Sequence, residues 1–180
     1  MMIDPKNYFE KETLKNGQPV IVRAIRPTDR EDFVTVLQEL DERSIYLRFF
    51  YPKKRFSDKE VTEALDVDFV RTVALITCIR ENGSEKIIGG GRYIVFGNAD
   101  PPDKAEIAFM VRKGYQGLGM GSMMLRHLAA IAKERGILEF HAEVMSDNTG
   151  MLTVFRHSGF KMSLLYESGV AHVMLSLAGD

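Results

Sequence analysis

Apolar and polar positions change their period several times along the 180-residue chain. A polar start from Lys6 to Lys15 leads to Asn16-Gly17, a strong hairpin signal, and the β-branched run Pro19 to Ile25 predicts the returning strand. Pro27-Thr28-Asp29 predicts a helix start with Thr28 as N-cap and Glu31 three residues on, and Phe33, Val36, Leu37 and Leu40 then recur at helical spacing. Ser44 to Tyr51 predicts an aromatic-rich helix broken by Pro52-Lys53-Lys54-Arg55, in which Tyr46, Phe49 and Phe50 read better as core than as part of an acceptor site. Ser57-Asp58-Lys59-Glu60 has the pattern of a capping box, so a short helix is expected to about Leu65.

The period then switches to strands. Thr72 to Arg80 is continuously apolar, Glu81-Asn82-Gly83-Ser84 turns it, and Lys86 to Phe96 returns with Gly89-Gly90-Gly91 inside, a sign of a bulge or a close backbone approach. After the loop Gly97 to Asp103 comes Ala105 to Val111, apolar except for Glu106. Behind the next loop, Met124, Leu125, Leu128 and Ala132 form a helical stripe that Arg135-Gly136 ends. Leu138 to Met145 alternates, with Leu138, Phe140, Ala142 and Val144 expected inward, and one intervening helix fits a parallel crossover. Asp147 to Gly150 turns into a helix over Met151 to His157, and Phe160 to Tyr166 with Ala171 to Leu177 reads as a closing hairpin. One mixed α/β domain over residues 1–180 is expected, with residues 1–12 as a candidate flexible arm.

The loop between Val111 and Ser122 carries the chemistry. Gln116-Gly117-Leu118-Gly119-Met120-Gly121 lies between a strand and a helix, where unpaired N–H groups and the helix dipole favour an anion. Alternate glycines let a phosphate approach the backbone, so the loop reads as a phosphate cradle, and a plain tight turn is the competing reading. The G-x-G-x-G spacing and late position fit a dinucleotide fingerprint poorly, although Glu139 and Glu143 stand at roughly the right distance, and no lysine completes a P-loop.

Composition narrows the setting. Formal charge is −1 and no apolar run reaches membrane-spanning length, so neither a nucleic-acid footprint nor a membrane span is expected. The N-terminus lacks the apolar core of a signal peptide, and the single cysteine, Cys78, excludes an internal disulfide, so a cytoplasmic location is expected. Cys78 inside an apolar strand reads as a structural thiol. His127, His141, His157 and His172 show no metal-ligand spacing, and no metal is expected. Lys53-Lys54-Arg55 reads first as a solvated turn and second as an attraction for an acidic partner or a cofactor phosphate.

Val111 to Gly121 resembles the acetyl-coenzyme A loop of the GNAT N-acetyltransferase superfamily, Q-x-x-G-x-G after a strand. Asn148, Met151, Phe155 and Gly159-Phe160 stand where that superfamily has its second cofactor segment. Ile25 to Asp29, Ser44 to Phe50, Asp66 to Phe69, Ala105 to Val111 and Glu143 to Asn148 are similar to landmarks of the acetyltransferase domain of bacterial protein lysine acetyltransferases, the Pat family. The likeness spans about Thr13 to Lys161. It implies a mixed, mostly antiparallel sheet flanked by helices, with a parallel pair splayed at the cofactor site. It also implies a cofactor, acetyl-CoA, and an amine acceptor: a protein lysine, with acetyl-CoA synthetase as the acceptor suggested. Pat-family members often carry a regulatory domain for which this chain has no room, so a stand-alone catalytic domain is expected.

A lysine amine is protonated near neutral pH, its ordinary pKa being about 10.4, so transfer to it needs a base, and the oxyanion that forms needs N–H donors. Glu106 is the candidate base. Its apolar neighbours suggest a strand covered on both faces, where desolvation would raise the carboxyl pKa, and Pat-like enzymes have a catalytic glutamate at the matching position. The alternatives are a wet carboxylate at the strand's start, or one paired with Arg92, with Glu143 as rival base. By the resemblance, an oxyanion donor lies near Met110 or Val111, amides from Gln116 to Ser122 meet the diphosphate, and Asn148 bonds the pantetheine arm beside Met151 and Phe155. Phe155 replaces a tyrosine that in many GNAT enzymes protonates the leaving thiolate, which leaves His157, Tyr166 or water for that task. Two other functions fit the pattern: an acetyltransferase for a small amine such as a polyamine, amino acid or antibiotic, and a non-catalytic acyl-CoA-binding module.

Overall fold

The computed structural model describes residues 1–40 and 55–179. The predicted aromatic helix, the break through residues 52–54 and the side chains of Tyr46, Phe49, Phe50, Lys53 and Lys54 lie outside the described residues.

A short 3-10 turn (Pro5–Asn7) leads into β1 (Phe9–Thr13), which pairs with β2 (Pro19–Ala24) across the Asn16-Gly17 turn, giving the expected hairpin. Helix α1 (Arg30–Glu39) starts differently from the expectation. A 3-10 turn (Pro27–Asp29) precedes it, and the side chain that closes the turn belongs to Asp29, not Thr28: its carboxylate accepts the Arg26 N–H at 2.7 Å. Asp29 wins because its carboxylate also accepts two hydrogen bonds from the buried Arg23 guanidinium. Helix α2 (Asp58–Leu65) has the predicted box, with Ser57 Oγ accepting the Glu60 N–H and Glu60 accepting the Ser57 N–H.

Strands β3 (Thr72–Glu81), β4 (Ser84–Phe96) and β5 (Lys104–Val111) follow as an antiparallel meander. Helix α3 (Met120–Glu134) crosses over to β6 (Glu139–Met145), which pairs parallel with β5. Helix α4 (Thr149–Arg156) precedes the hairpin β7 (Lys161–Glu167) and β8 (Val170–Ser176). The described strands form one sheet in the order β1-β2-β3-β4-β5-β6-β8-β7, with β5–β6 the parallel pair. Among the described residues no helix is long and apolar enough to cross a membrane.

The glycines of β4 serve the packing of α3. A β-carbon on Gly89 would collide with the Met120 sulfur and lie 2.9 Å from the Met110 carbonyl oxygen, and one on Gly91 would lie 3.0 Å from a Leu128 methyl. The helix therefore sits close on the sheet and buries Met120, Met124, Leu125, Leu128, Ile131 and Ala132. At about 1.5–3 kcal/mol for each large apolar side chain, this burial fixes the helix whose N-terminus the loop leads into. The ladder slips by one residue between Thr77 and Cys78, the bulge that the glycines signalled. Leu138 departs from the pattern: it precedes β6 and is exposed, while Phe140, Ala142 and Val144 are buried as expected. Cys78 is buried, and burial pushes its thiol up to about 12.

The N-terminal hairpin is fastened to α3 through the buried His127. The Tyr8 hydroxyl lies 2.6 Å from Nδ1 and the Glu12 carboxylate 2.7 Å from Nε2. Burial holds the Tyr8 hydroxyl up at about 12, so Tyr8 donates to Nδ1, and Nε2–H donates to Glu12.

Candidate functional site

Strands β5 and β6 pair only over three rungs, Lys104 with Glu139, Ala105 with Phe140 and Glu106 with His141. Beyond the Glu106–His141 rung they part. From Ile107 to Val111 the β6-facing edge of β5 has no ladder partner, which leaves polar backbone groups free inside the fork. The fork widens into a cleft of about 670 Å³ bounded by β5, β6, the glycine loop and α4.

The loop closes one end of this cleft. Tyr115 N–H bonds to the Arg112 carbonyl, and Gly119 caps α3 at φ +85°, a left-handed conformation suited to glycine. The first helical bond runs from Met123 N–H to Gly119 O at 3.1 Å, so the amides of Met120, Gly121 and Ser122 have no partner within the helix. They stand at the positive end of a 15-residue helix that has no acidic side chain in its first turn. At the cleft's other wall Asn148 caps α4, its Oδ1 accepting the Met151 N–H at 3.2 Å, which leaves the carboxamide NH₂ to donate elsewhere.

Glu106, Met110, Val111, Gln116, Gly117, Gly119, Met120, Gly121, Ser122, Asn148, Met151 and Phe155 all line this one cleft. Leu118 does not: it lines a second groove of about 560 Å³ between β1, α3 and Ser158, and its carbonyl accepts the Lys15 N–H. Phe155 is fully buried and packs against Phe109 with ring centroids 6.2 Å apart, so it forms apolar floor. His157 lines both cavities, whereas Tyr166 lines neither; its hydroxyl accepts a long bond from Arg156 at 3.4 Å.

The environment of Glu106 differs from the expectation. The strand is not covered on both faces there: Ala105 and Ile107 are buried on the α3 side, and Glu106 is exposed on the other. The apolar neighbours misled because only the α3 face of the sheet is covered here; Ile94 and Phe96 of β4, on the same face as Glu106, are exposed as well. No ion pair joins Glu106 to Arg92 among the described residues, although they share a face. The rival Glu143 also lines the cleft and is exposed, and its carboxylate lies 3.6 Å from His172 Nδ1.

Sequence reasoning missed Lys15. It lines both cavities, and its aliphatic stem packs where a β-carbon on Gly119 would stand, at 3.1–3.4 Å. Nothing in the local pattern links residue 15 to residue 119; only the hairpin's docking on α3 does. Arg112, at the root of the loop, was also passed over. Its guanidinium is buried and binds both carboxylate oxygens of Glu39 at 2.5 Å, with the Ile87 carbonyl at 3.0 Å, which ties the end of α1 to the loop. This pairing holds the Glu39 carboxyl below its ordinary pKa and raises that of Arg112.

The model of the acetyltransferase (GNAT) family matches residues 37–160. The GNAT domain of Pat from S. lividans superposes with a TM-score of 0.84 at 35% identity, covering 93% of this chain and 96% of that one. An acetyltransferase of Pseudomonas aeruginosa, PA5475, is 26% identical over 149 residues, 83% of this chain and 78% of its own length. The protein yncA from Salmonella typhimurium, solved with its cofactor acetyl-CoA, shares the fold at a TM-score of 0.69 and 16% identity, covering 89% of this chain and 95% of that one. A parallel pair that forks beside a glycine loop, together with these likenesses, leads to one assignment: the chain belongs to the GNAT acetyltransferase family and is an N-acetyltransferase.

Proposed function

We propose that the protein moves the acetyl group of acetyl-CoA directly to the side-chain amine of a protein lysine, with Glu106 as the base. The observation that carries this reading is the forked β5–β6 pair, with a carboxylate on its last rung and unpaired amides at the far end of the same cleft. A protein acceptor is supported by the 35% identity to the GNAT domain of Pat across nearly the whole of both chains.

The residues fit the cofactor. Gly117 and Gly119 have φ of +76° and +85°, and a β-carbon on Gly117 would meet nothing within 4 Å, so the cradle is open to an anion. The amides from Gln116 to Ser122 would hold the diphosphate at the helix's positive end. The free edge of β5 at Met110 and Val111 would take the pantetheine arm and supply the oxyanion donor. Asn148 would add its carboxamide NH₂, with Met151 and Phe155 packing alongside. Acetyl-CoA would supply an activated acetyl thioester.

Glu106 stands where the fork opens, with a carboxylate that water reaches. It takes a proton from the incoming ammonium, directly or through one water, and the neutral amine can then attack. Solvent exposure lets Glu106 return that proton to bulk water after each turnover. Phe155 offers no hydroxyl, and a thiolate with an ordinary pKa of about 8.5 leaves without a dedicated acid.

The test is coenzyme A release measured against a panel of protein and small-amine acceptors, with mass spectrometry locating the acetyl group. Acetylation of protein lysines is the expected result. Turnover confined to small amines would move the acceptor to that class. Coenzyme A binding with no turnover on any acceptor would make the protein an acyl-CoA-binding module.

A further inference from the structure

The sheet face that carries Glu106 also carries a cation for which the chemistry above has no use. Arg92 lies on β4 opposite Ala108, and Ile94 lies opposite Glu106, so Arg92 and Glu106 are diagonal neighbours across the β4–β5 ladder. Both point away from α3, because Gly91, the residue before Arg92, faces Leu128 of that helix and side chains alternate along the strand. Diagonal positions stand about 7–8 Å apart, with their β-carbons somewhat closer. Ala108, the residue opposite Arg92, lines the cleft one rung inside the fork.

Arg92 is half-buried, and among the described residues its guanidinium makes neither a hydrogen bond nor an ion pair. Burial draws its pKa below the usual arginine value, and Glu106 is the charge that opposes this. The two fully buried arginines are treated differently. Arg23 is paired with Asp29 and Glu85, and Arg112 with Glu39 and Asp32. A guanidinium has five N–H donors and stays charged at any working pH, and those of Arg92 are open to water, since the Tyr93 hydroxyl is the one buried side-chain polar atom without a partner among the described residues. A substrate carboxylate can replace that water.

We propose that Arg92 is a specificity residue of the acceptor side, taking a carboxylate that the acceptor carries close to the amine deprotonated by Glu106. The proposal rests on the assignment of Glu106 as base. A plain alkylammonium would meet attraction from Glu106 and repulsion from Arg92. An acceptor whose amine and carboxylate lie within the span of the two side chains satisfies both charges at once. Two sources present that chemistry: a protein lysine with an acidic residue beside it, or a free amino acid.

The experiment compares peptides that differ only in Asp or Asn next to one lysine, together with free lysine against lysine amide. Turnover is read as kcat/KM, and peptide affinity is read by calorimetry on the protein saturated with coenzyme A. A carboxylate-bearing acceptor should exceed its amide partner by about tenfold in the native protein, as for one charge-assisted pair. Arg92→Gln should bring the ratio to one or below, because Glu106 then repels the carboxylate unopposed. Arg92→Lys should keep part of the preference, and coenzyme A affinity should stay unchanged in both variants. A preference confined to the peptides, or to free lysine, identifies the source. A ratio near one in the native protein overturns the proposal, as does a tenfold ratio that survives Arg92→Gln. In Glu106→Gln the affinity preference should persist while kcat falls; unchanged kcat there would remove the base assignment and leave the Arg92 result standing.

Discussion

The two ends of the cleft are built from different materials. In the proposed function the cofactor end works through main-chain amides, supplied by consecutive residues from Gln116 to Ser122 and displayed by a glycine in a left-handed turn. On the same proposal the acceptor end works through side chains, Glu106 and Glu143 from two different strands, with Arg92 from a third. A backbone cradle depends on local conformation, whereas a side-chain site depends on register between distant segments. The two ends should therefore fail separately. The largest effect belongs to the acceptor end. Glu106→Gln should lower kcat by about 10²–10³-fold, within the range for a lost general base, while coenzyme A affinity by calorimetry stays at the native value. Glu143→Gln should change kcat far less; a larger loss there than at Glu106 would transfer the base to β6.

The cofactor end is broken by the opposite kind of change. Gly119→Val imposes a β-branched side chain at φ +85° and pushes on the Lys15 stem. The left-handed conformation costs roughly 1–2 kcal/mol for such a residue, so coenzyme A affinity should fall about tenfold as the loop relaxes. The acceptor KM measured at saturating cofactor should remain near native. If it rises in parallel, the two ends are mechanically one.

This contrast explains what the sequence could disclose. The hairpin turn, the capping box at Ser57 and the glycine loop each depend on a few neighbouring residues, and each was legible. The exposure of Glu106 was not, because it follows from α3 packing on the other face of the sheet and leaving this one open at Ile94, Phe96 and Glu106. Local sequence around residue 106 describes a strand and does not record which of its faces another element covers. Leu138 failed for a related reason: it continues the alternation of β6 but precedes the strand. Asp29 displaced Thr28 because its partner Arg23 comes from β2. Lys15 and Arg112 were passed over for want of any local signal, since each acquires its place only through a tertiary contact.

Arg112 ties the end of α1 and the Ile87 carbonyl of β4 to the root of the loop, and its removal should damage stability before chemistry. Arg112→Ala strips the Ile87 carbonyl of a donor and leaves Glu39 without its bidentate partner. Because Glu39 is itself nearly half exposed and can rehydrate, the loss should be about 2 kcal/mol, below that for a fully buried pair. For a chain of this size that is a fall in Tm of roughly 5 °C. Glu39→Gln, which keeps an acceptor oxygen, should lose less. Equal losses in the two variants would mean that the charge of Glu39 carries the whole interaction.

The smallest effect concerns the seam between the N-terminal hairpin and α3, beneath the cofactor end. Burial lowers the His127 pKa from its ordinary value of 6.5, against the opposing pull of Glu12. A histidine with a depressed native pKa is neutral in both states at high pH. As pH falls through 6.5 the unfolded chain takes up the proton first, so native stability declines over that interval, and the decline levels off once the folded state also binds it. Glu12 works in a lower window: the Arg126 and His127 hydrogen bonds hold its pKa down, so its contribution is present above the ordinary carboxylate range and is lost below it. Between pH 7.5 and 5.5 the Tm should therefore fall by a few degrees more in the native protein than in His127→Gln. Chemical-denaturant melts across that range measure the difference directly. Identical slopes in the two proteins would show that His127 is only a packed member of α3.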